Sequence, residues 1–282
     1  MPTRQKQIMY LLSRTPVHVG AGNSVGVVDS PIQRERHTKT PIIPGSSLKG
    51  VISDLWNDGD YKRTAEGKTL FGNDNSSEST AGELLIGEAR VLAFPVRSAK
   101  GSFAWITSPL ALQKFSRESG MVIDTDQFDG LSEDSCFAFG DNVFKADAVL
   151  LEEYRFNVKG SSETIASSLA EIFASDDTWK TVANRLVIVN DELFSYFVEH
   201  ACEVVTRIRI DDETGVVKGG ALFNQEQVPS ETMFYSVIGT FKSADNLTKL
   251  VEKIATGGNI LQVGGDATIG LGYCSVNFQE VK

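Results

Sequence analysis

The stretch TPVHVGAGNSVGVVDSPIQRERHTKTPIIPGSSLKG, residues 15–50, decides how this chain of 282 residues is interpreted. It follows QIMYLLS (7–13), a short apolar run that is typical of a buried first strand. Residues 15–45 are rich in glycine, proline and polar residues without a sustained period, so they predict a long loop. Loops of that length inside a compact domain are usually functional. The search for a functional site therefore begins in this segment.

A helix is predicted directly after this loop. Apolar residues recur at helical spacing from Leu48 onwards, and Ser46 or Ser47 is expected to cap the helix, which ends near Gly59. The next segment, 60–82, has a tail rich in serine, asparagine and glycine, and it predicts a surface loop.

The rest of the chain alternates predicted strands and helices. Strands are expected at 83–96, 103–107, 233–241 and 273–278, and helices at 109–118, 162–174, 191–201 and 244–256. Alternating apolar and basic residues around the turn DDETG predict a hairpin at 203–222. This order predicts an α+β fold of the split βαβ (ferredoxin-like) type with large insertions and both terminal strands in one sheet. Two domains with a boundary near 120–150 are the alternative.

The charge of the chain is divided unequally. Its formal net charge of −10 counts against a nucleic-acid-binding protein, because phosphate contacts need basic surface. Residues 1–50, however, contain seven basic and two acidic side chains, a net charge of +5, which leaves −15 for the remainder. A polyanion could therefore bind the first segment and be repelled elsewhere. Chance clustering of charges on a solvated face is the other interpretation.

Composition narrows the class of protein further. With 41% apolar residues the chain can form a sizeable core, and no apolar run approaches the roughly 20 residues of a membrane-spanning helix. The first residues lack the pattern of a signal peptide. Three widely spaced cysteines argue against a disulfide framework or a zinc site: Cys136, Cys202 and Cys274. We therefore expect a soluble cytoplasmic protein with no membrane partner.

Several enzyme classes are excluded by their missing motifs. The chain has no GxxxxGK[ST], GxSxG or HExxH, and its histidines (His18, His37 and His200) are not at metal-ligand spacing. The stretch GGDATIGLG (264–272) lacks the strand–turn–helix context of a dinucleotide site. Its glycines allow a close approach of backbone, either by another strand or by a ligand.

The predicted helix start is a candidate anion site. Its amide N–H groups and the helix dipole both favour negative charge, and a lysine in the first turn is unfavourable without an anion. The residues concerned are Gly45, Ser46, Ser47 and Lys49. Three basic residues just upstream could hold phosphates as a group: Arg34, Arg36 and Lys39. An ordinary helix start with a solvated lysine is the other interpretation.

Asp29 is the lone acid between Arg14 and Arg34. A carboxylate in such a loop could bind a hydrated Mg²⁺ that bridges to phosphate, or accept a proton from a hydroxyl. Asp-Ser-Pro is also a good turn initiator, so a purely structural role stays open.

Taken together, these segments resemble the RAMP superfamily of CRISPR effector proteins, and in particular the multi-copy backbone subunit of the type III-B (Cmr) complex. Besides 15–50, the resemblance covers FPVRSAKGSFAWITSPLALQKF (94–115), TRIRIDDETGVVKGGALF (206–223) and GGDATIGLGY (264–273). The PGSSLKG motif alone also fits the type III-A (Csm) backbone subunit, and 94–115 favours type III-B.

The resemblance implies one domain over 1–282, namely an RRM-like palm with an inserted helical segment at about 105–200. It also implies a projecting thumb hairpin at about 203–228. Copies of such a protein stack with other Cmr subunits into a filament along a guide RNA. The thumb hairpin disrupts the guide–target duplex, and target RNA is cut beside it at regular intervals. Cleavage is metal-dependent, by attack of a 2′-OH that leaves a cyclic phosphate.

The resemblance also assigns roles to residues of this sequence. Asp29 matches the catalytic aspartate, which would use Mg²⁺ or another divalent cation, and His18 is a lesser catalytic candidate. The helix start matches a phosphate-binding element. The thumb hairpin contributes three further candidates for RNA contact: Arg207, Arg209 and Lys218.

One departure from the family concerns residues 225–229. The family often has Glu-Glu-Tyr-Leu-Pro where this chain reads QEQVP, so a catalytic tyrosine has no counterpart here. Glu226 remains a candidate for a weak contribution. A non-catalytic RNA-binding scaffold is the second hypothesis, because a single carboxylate is thin evidence for catalysis.

Overall fold

The computed structural model describes residues 5–22, 26–73, 79–143, 147–208, 210–211, 213–217 and 222–281. The α-helices within these ranges are α1 (Gly45–Asp54), α2 (Ala65–Phe71), α3 (Pro109–Ser119), α4 (Glu163–Ala170), α5 (Asp191–His200) and α6 (Asp245–Thr256). None of these helices is long and apolar enough to cross a membrane.

Sixteen strands are formed by the described residues. They are β1 (Gln5–Ser13), β2 (Ile42–Ile43), β3 (Gly72–Asn73), β4 (Thr80–Ala81), β5 (Leu84–Ile86), β6 (Ala89–Arg97), β7 (Phe103–Thr107), β8 (Ser135–Ala138), β9 (Ala148–Leu151), β10 (Tyr154–Gly160), β11 (Leu186–Ile188), β12 (Glu203–Arg207), β13 (Phe223–Gln227), β14 (Met233–Thr240), β15 (Ile260–Gln262) and β16 (Tyr273–Glu280).

Twelve of these strands form one large mixed sheet. Its main path runs β15-β16-β1-β14-β6-β7-β11-β8-β10-β9, with β2 paired to β6 and β5 paired to β14. The pairs β7–β11 and β8–β10 are parallel, and the others are antiparallel. The fold is therefore mixed α+β, and the prediction that both terminal strands share one sheet is confirmed, because β1 pairs directly with β16.

Both faces of this sheet are covered. Successive side chains of a strand point to opposite faces, and accordingly Met9 and Leu11 of β1 belong to one apolar core while Ile8, Tyr10 and Leu12 belong to the other. The first core also contains apolar side chains of α1, α2, α5 and α6, and the second those of α3 and α4. The helices thus lie on the two faces of the sheet in two groups.

Two helix starts agree with their sequence signals. The Ser108 hydroxyl accepts a hydrogen bond from the N–H of Ala111, and Gly120 in left-handed conformation ends α3. The Asn190 side chain accepts from the N–H of Leu193 at the start of α5. Caps are local in sequence, which explains why these predictions are confirmed.

The start of α1 differs from the prediction. Pro44, not Ser46 or Ser47, occupies the cap position, and no side chain caps the helix. Both serines lie in the first turn. A Cβ at Gly45 would stand 2.5 Å from the carbonyl oxygen of Ile86, so only glycine allows the helix to start this close to the sheet.

The prediction of a plain surface loop at 60–82 is wrong. The segment contains α2, whose start is capped by Thr64 through a hydrogen bond from the N–H of Gly67. Leu70 and Phe71 are buried in the core, and the Phe71 ring packs 5.2 Å from that of Trp56. The segment as a whole is polar, but these two apolar side chains are sufficient to pack the helix against the core.

Strands β12 and β13 form a two-stranded sheet of their own, apart from the large sheet. Glu203 pairs with Gln227 at one end and Arg207 with Phe223 at the other. Beyond them, Ile210 and Val217 form an isolated bridge. The predicted hairpin is therefore present. We call the end at residues 224–229 its root, and the described residues between Ile208 and Leu222 its tip.

Candidate nucleic-acid interface

The root of the thumb hairpin is bound to the loop that precedes α1. Val17 and Val228 exchange two backbone hydrogen bonds of 2.8 Å. Ser30 donates its N–H to the Asn224 carbonyl, and the N–H of Glu226 donates to the Ser30 carbonyl, both at 3.0 Å. Two parts of the sequence about two hundred residues apart are thus joined by backbone hydrogen bonds into one small layer.

Asp29 lies at the edge of this layer. Its side chain is exposed, and its Oδ2 accepts a 2.8 Å hydrogen bond from the N–H of Asn224. No other hydrogen-bond donor contacts this carboxylate within the part of the chain that the structure describes. The carboxylate is therefore held in one direction by the hairpin root while it still faces solvent.

His18 is buried beneath the same loop. Its Nδ1 lies 2.6 Å from the carbonyl oxygen of Glu226, and its Nε2 lies 3.3 Å from the Ser30 hydroxyl. Because a carbonyl oxygen can only accept, Nδ1 carries a proton, and Nε2 is the ring nitrogen that faces the Ser30 hydroxyl. With only 7% of the residue exposed, His18 braces the loop from inside, whereas the sequence suggested it as a lesser catalytic candidate.

Glu226 and Arg34 form the buried centre of this arrangement. Glu226 Oε1 lies 2.6 Å from an Arg34 guanidinium nitrogen, and Oε2 accepts a 3.0 Å hydrogen bond from the N–H of Ile32. The guanidinium also donates to the carbonyl oxygens of Lys39 and Val198, the latter in the last turn of α5. Arg34 therefore ties the loop to a helix end and to the hairpin root.

This placement gives Arg34 a role within the protein. Its guanidinium donates to groups of the protein itself, so the geometry gives no support to Arg34 as a phosphate-binding residue. Glu226 is likewise used internally, through both carboxylate oxygens. Sequence analysis missed this contact because Arg34 and Glu226 are far apart in the chain.

The charge of Arg34 is stabilised where it lies. Burial lowers its pKa, but its interactions with Cys202 and Glu226 outweigh burial, and the net shift of the pKa is upward. Burial raises the pKa of the Cys202 thiol to about 12, so that side chain stays neutral near pH 7. The anionic partner of Arg34 is therefore Glu226.

The start of α1 presents the predicted anion-binding residues in part. Ser46 is exposed, while Gly45, Ser47 and Lys49 are half-buried. The first N–H groups of a helix have no partner within the helix, and the dipole adds partial positive charge there. The N–H of Ser47 already donates 2.9 Å to the carbonyl of Pro44, and phosphate binding at this helix start stays a prediction.

The other basic candidates divide into three groups. Arg36 and Lys39 are exposed, and Lys39 has a left-handed backbone with φ of 59°. Arg207 is half-buried, and its Nε donates a 3.0 Å hydrogen bond to Gln225. Arg209 and Lys218 lie outside the described residues.

The tip of the thumb hairpin is apolar and uncovered. Five apolar side chains along it are each about half exposed or more: Ile208, Ile210, Val216, Val217 and Leu222. Three hydrogen bonds to Asp211 Oδ1, from the N–H and hydroxyl of Thr214 and the N–H of Glu213, fix the turn. The described part of the tip thus presents an exposed apolar surface.

The glycine-rich stretch 264–272 packs against His18. The N–H of Gly265 donates 2.9 Å to the His18 carbonyl, and a Cβ on Gly264, whose φ is 88°, would collide with that carbonyl oxygen. The sequence left open whether another strand or a ligand approaches these glycines. Here the backbone of another segment of the chain, at His18, makes the close approach.

A divalent cation would have few ligands from this chain. Within the described residues, no group of three or more histidine, cysteine, aspartate or glutamate side chains could hold a metal ion. Asp29 by itself fits Mg²⁺, which often binds proteins through one or two carboxylates and takes its other ligands from water and substrate phosphates.

Comparison with known proteins places this arrangement in a family. The RAMP superfamily model matches residues 11–275, so the chain belongs to the RAMP superfamily. The chain is 36% identical over 280 residues to the CRISPR system Cmr endoribonuclease Cmr4 of Pyrococcus furiosus, covering 96% of this chain and 95% of that protein.

Solved structures agree in fold. The crystal structure of oligomeric Cmr4 from Pyrococcus furiosus has a TM-score of 0.72 at 29% identity and covers 99% of both chains. A chain in the cryo-EM structure of the type III-B Cmr-beta complex bound to cognate target RNA has a TM-score of 0.76 at 23% identity, with 97% of this chain and 96% of that one covered. At that identity the second likeness concerns the fold alone.

Proposed function

We propose that this chain is a guide-RNA-binding backbone subunit of a type III-B CRISPR effector complex, in which it cleaves target RNA. Its partners would be guide RNA, target RNA, further copies of itself and other Cmr subunits. The likeness to a Cmr endoribonuclease over nearly the whole chain supports this assignment. The observation that carries the catalytic part is Asp29, an exposed carboxylate oriented by the root of an apolar-tipped hairpin.

The proposal includes a ferredoxin-like, RRM-like palm as a single domain. It is supported by the strand order β16-β1-β14-β6, with α1 between β1 and β6 and α6 between β14 and β16. The inserted segment at about 105–200 would continue the same sheet through β7, β11, β8, β10 and β9. The thumb hairpin at about 203–228 would project from it.

Guide RNA would be bound through its backbone, by shape and charge rather than by base sequence. The start of α1 supplies amide groups and Lys49, and the exposed Arg36 and Lys39 supply charge. Arg207 is retained as a candidate at the hairpin. Arg209 and Lys218 remain predictions from the sequence.

For cleavage, the apolar tip would wedge between base pairs and leave the target backbone kinked. Unstacking costs a few kcal/mol, which contacts with the protein offset. The kink brings a 2′-OH into line with the adjacent phosphorus, and alignment itself supplies much of the acceleration. Asp29 would accept or orient the 2′-OH proton. The O2′–P bond forms as the P–O5′ bond breaks, and the departing 5′ oxygen takes a proton from solvent, which leaves a 2′,3′-cyclic phosphate.

Asp29 is also the residue that would hold a divalent cation, together with water and RNA phosphate oxygens. When bound, such a cation neutralises phosphate charge and lowers the pKa of a nearby hydroxyl or water. The hydrogen bond from the N–H of Asn224 restrains the carboxylate that would hold the cation.

The test is Asp29→Asn in the assembled complex with guide RNA, target RNA and Mg²⁺. Asparagine can still accept the hydrogen bond from Asn224, so the loop should keep its shape. We expect cleavage to fall at least about a hundredfold, with target binding unchanged.

Asp124→Asn is the matched control, because Asp124 is another loop carboxylate that accepts a backbone N–H, and cleavage should persist. Unchanged fragments from Asp29→Asn would reject the catalytic role and leave a non-catalytic RNA-binding scaffold as the function.

A further inference from the structure

The side-chain amide of Gln225 joins three segments of the chain. Gln225 is buried, with 5% of the residue exposed. Its Nε2 donates to Asp266 Oδ2 at 2.6 Å. Its Oε1 accepts from Arg207 Nε at 3.0 Å and from Gln227 Nε2 at 3.1 Å. One side chain thus connects both strands of the thumb hairpin to the glycine-rich stretch 264–272.

The partners of Gln225 define its chemistry. The Asp266 carboxylate can only accept a hydrogen bond, and the Arg207 guanidinium can only donate one. Only a group that donates on one side and accepts on the other satisfies both partners. Glutamate would face Asp266 with a second acceptor, and leucine would remove both hydrogen bonds. The amide orientation is therefore fixed by its surroundings.

The attachment matters because, among the described residues, no strand of the large sheet pairs with the thumb hairpin. It forms a separate two-stranded sheet, whereas residues 264–272 connect β15 to β16 within the large one. Asp266 has a left-handed backbone, with φ of 63°, and its loop is bonded to the carbonyl of His18. The bond from Gln225 therefore reaches a fixed point on the palm.

We propose that Gln225 is a positioning residue that locks the root of the thumb hairpin to the glycine-rich stretch and orients Arg207. The inference rests on the proposed function, in which the hairpin aligns target RNA with Asp29. Its effect on cleavage would be indirect, because Gln225 is buried and uses its amide oxygen and nitrogen within the protein.

The test begins with Gln225→Glu, which keeps the size and shape of the side chain. The new carboxylate can still accept from Arg207, but it repels Asp266. We expect the single-turnover cleavage rate of the assembled complex to fall between about tenfold and a hundredfold, because displacing an aligned group by about 1 Å has effects of this size. The affinity for target RNA should change by less than about threefold, because few contacts with RNA are lost.

The decisive variant combines Gln225→Glu with Asp266→Asn. This exchange reverses donor and acceptor, so that the introduced asparagine amide donates to the introduced glutamate carboxylate and the link is restored. We expect the cleavage rate to return to within about threefold of the unaltered complex. Asp266→Asn alone should retain most of the rate, because the asparagine Oδ1 still accepts from Gln225.

Two results would overturn the proposal. If Gln225→Glu cleaves at the normal rate, the link does not position the hairpin. If Asp266→Asn loses activity and the double variant is not rescued, the charge of Asp266 acts directly, for example on a metal ion, and Gln225 is not the reason for its placement.

A second measurement separates this inference from the proposed function. Hydrogen exchange of residues 203–207 and 223–227 is followed in the full-length chain without RNA. Exchange should be faster in Gln225→Glu and return to normal in the double variant. If the unaltered complex fails to cleave, the proposed function fails, whereas unchanged exchange in Gln225→Glu contradicts the lock itself.

Discussion

The two ends of the thumb hairpin have opposite chemistry. At the root, Glu226 and Gln225 are buried and use their polar atoms within the protein. At the tip, Ile210 and Val217 are about half exposed and face each other across the strand pair. The root is buried and its polar side chains are hydrogen-bonded, which restrains the base of the hairpin. The apolar tip is exposed and is available for contact with another molecule. The comparison assigns stability to the root, and in the proposed function it is the tip that contacts RNA.

The largest effect is expected at the root. Glu226→Gln keeps the shape of the side chain but leaves the largely buried guanidinium of Arg34, whose side chain is 14% exposed, without its counter-charge. Breaking one partner of a buried pair costs about 3 kcal/mol, and this loss of the free energy of unfolding is measured by urea denaturation. The exposed Glu203 of β12 supplies the control, since Glu203→Gln should change the unfolding free energy by less than about 0.5 kcal/mol. Equal values for the two variants would contradict a stabilising root.

The tip should show the reverse behaviour. Replacing Ile210 and Val217 together by serine removes the apolar wedge, so cleavage by the assembled complex should slow about tenfold, equivalent to about 1.4 kcal/mol. The free energy of unfolding should stay within about 0.5 kcal/mol, because both side chains are exposed. The control variant combines Ile210→Val with Val217→Ile, which keeps the apolar area and should preserve the rate. A large loss of stability in the serine variant would mean that the tip is part of the core.

A smaller effect should distinguish two arginines of the loop that is bound to the root. Arg36 is exposed, whereas Arg34 is bonded within the protein, so Arg36→Ala should weaken binding of guide RNA a few fold and reduce the salt dependence of binding by about one unit of slope. Filter binding at several salt concentrations gives both quantities. Lys180→Ala, at another exposed site, is the control and should leave the slope unchanged. An unaltered slope for Arg36→Ala would remove this residue from the interface.

The smallest effect concerns the turn at the tip. Hydrogen bonds from the N–H and hydroxyl of Thr214 and from the N–H of Glu213 lower the pKa of Asp211. A carboxyl group with a lowered pKa stabilises the turn above its ordinary pKa, and this contribution is lost as the pH falls through the lowered value. When the amide resonance of Thr214 is followed by NMR as the pH is lowered, its shift should therefore have a midpoint below the usual pKa range of aspartate. In Asp211→Asn the resonance should show no such step.

Local features of this fold could be predicted from sequence, and long-range ones could not. Ser108 with Pro109 and Asn190 marked the starts of α3 and α5, because a cap involves neighbours three residues away. The pair Arg34–Glu226 joins positions 192 residues apart, and nothing in either local sequence indicates the other. Arg34 was therefore predicted as a phosphate-binding residue from its charge alone.

The candidate site shows the same division. Asp29 was singled out as the lone acid of a basic loop, but its hydrogen bond to Asn224 required the hairpin root to be in place. The helix at 65–71 was missed because its apolar residues are few and flanked by polar ones. Charge and hydrophobic periodicity thus located the candidate segment 15–50. Only the tertiary contacts distinguished its residues that face solvent from those that hold the loop in place.

The burial of the native thiols has a practical consequence for spectroscopy. Cys136 and Cys274 are buried and Cys202 is partly so, and burial raises the pKa of all three to about 12. Alkylating reagents react with thiolates, which are scarce in such groups near neutral pH. In Val216→Cys the new, exposed thiol would react selectively with a maleimide dye, so fluorescence would test whether the hairpin enters between bases while every native cysteine is retained.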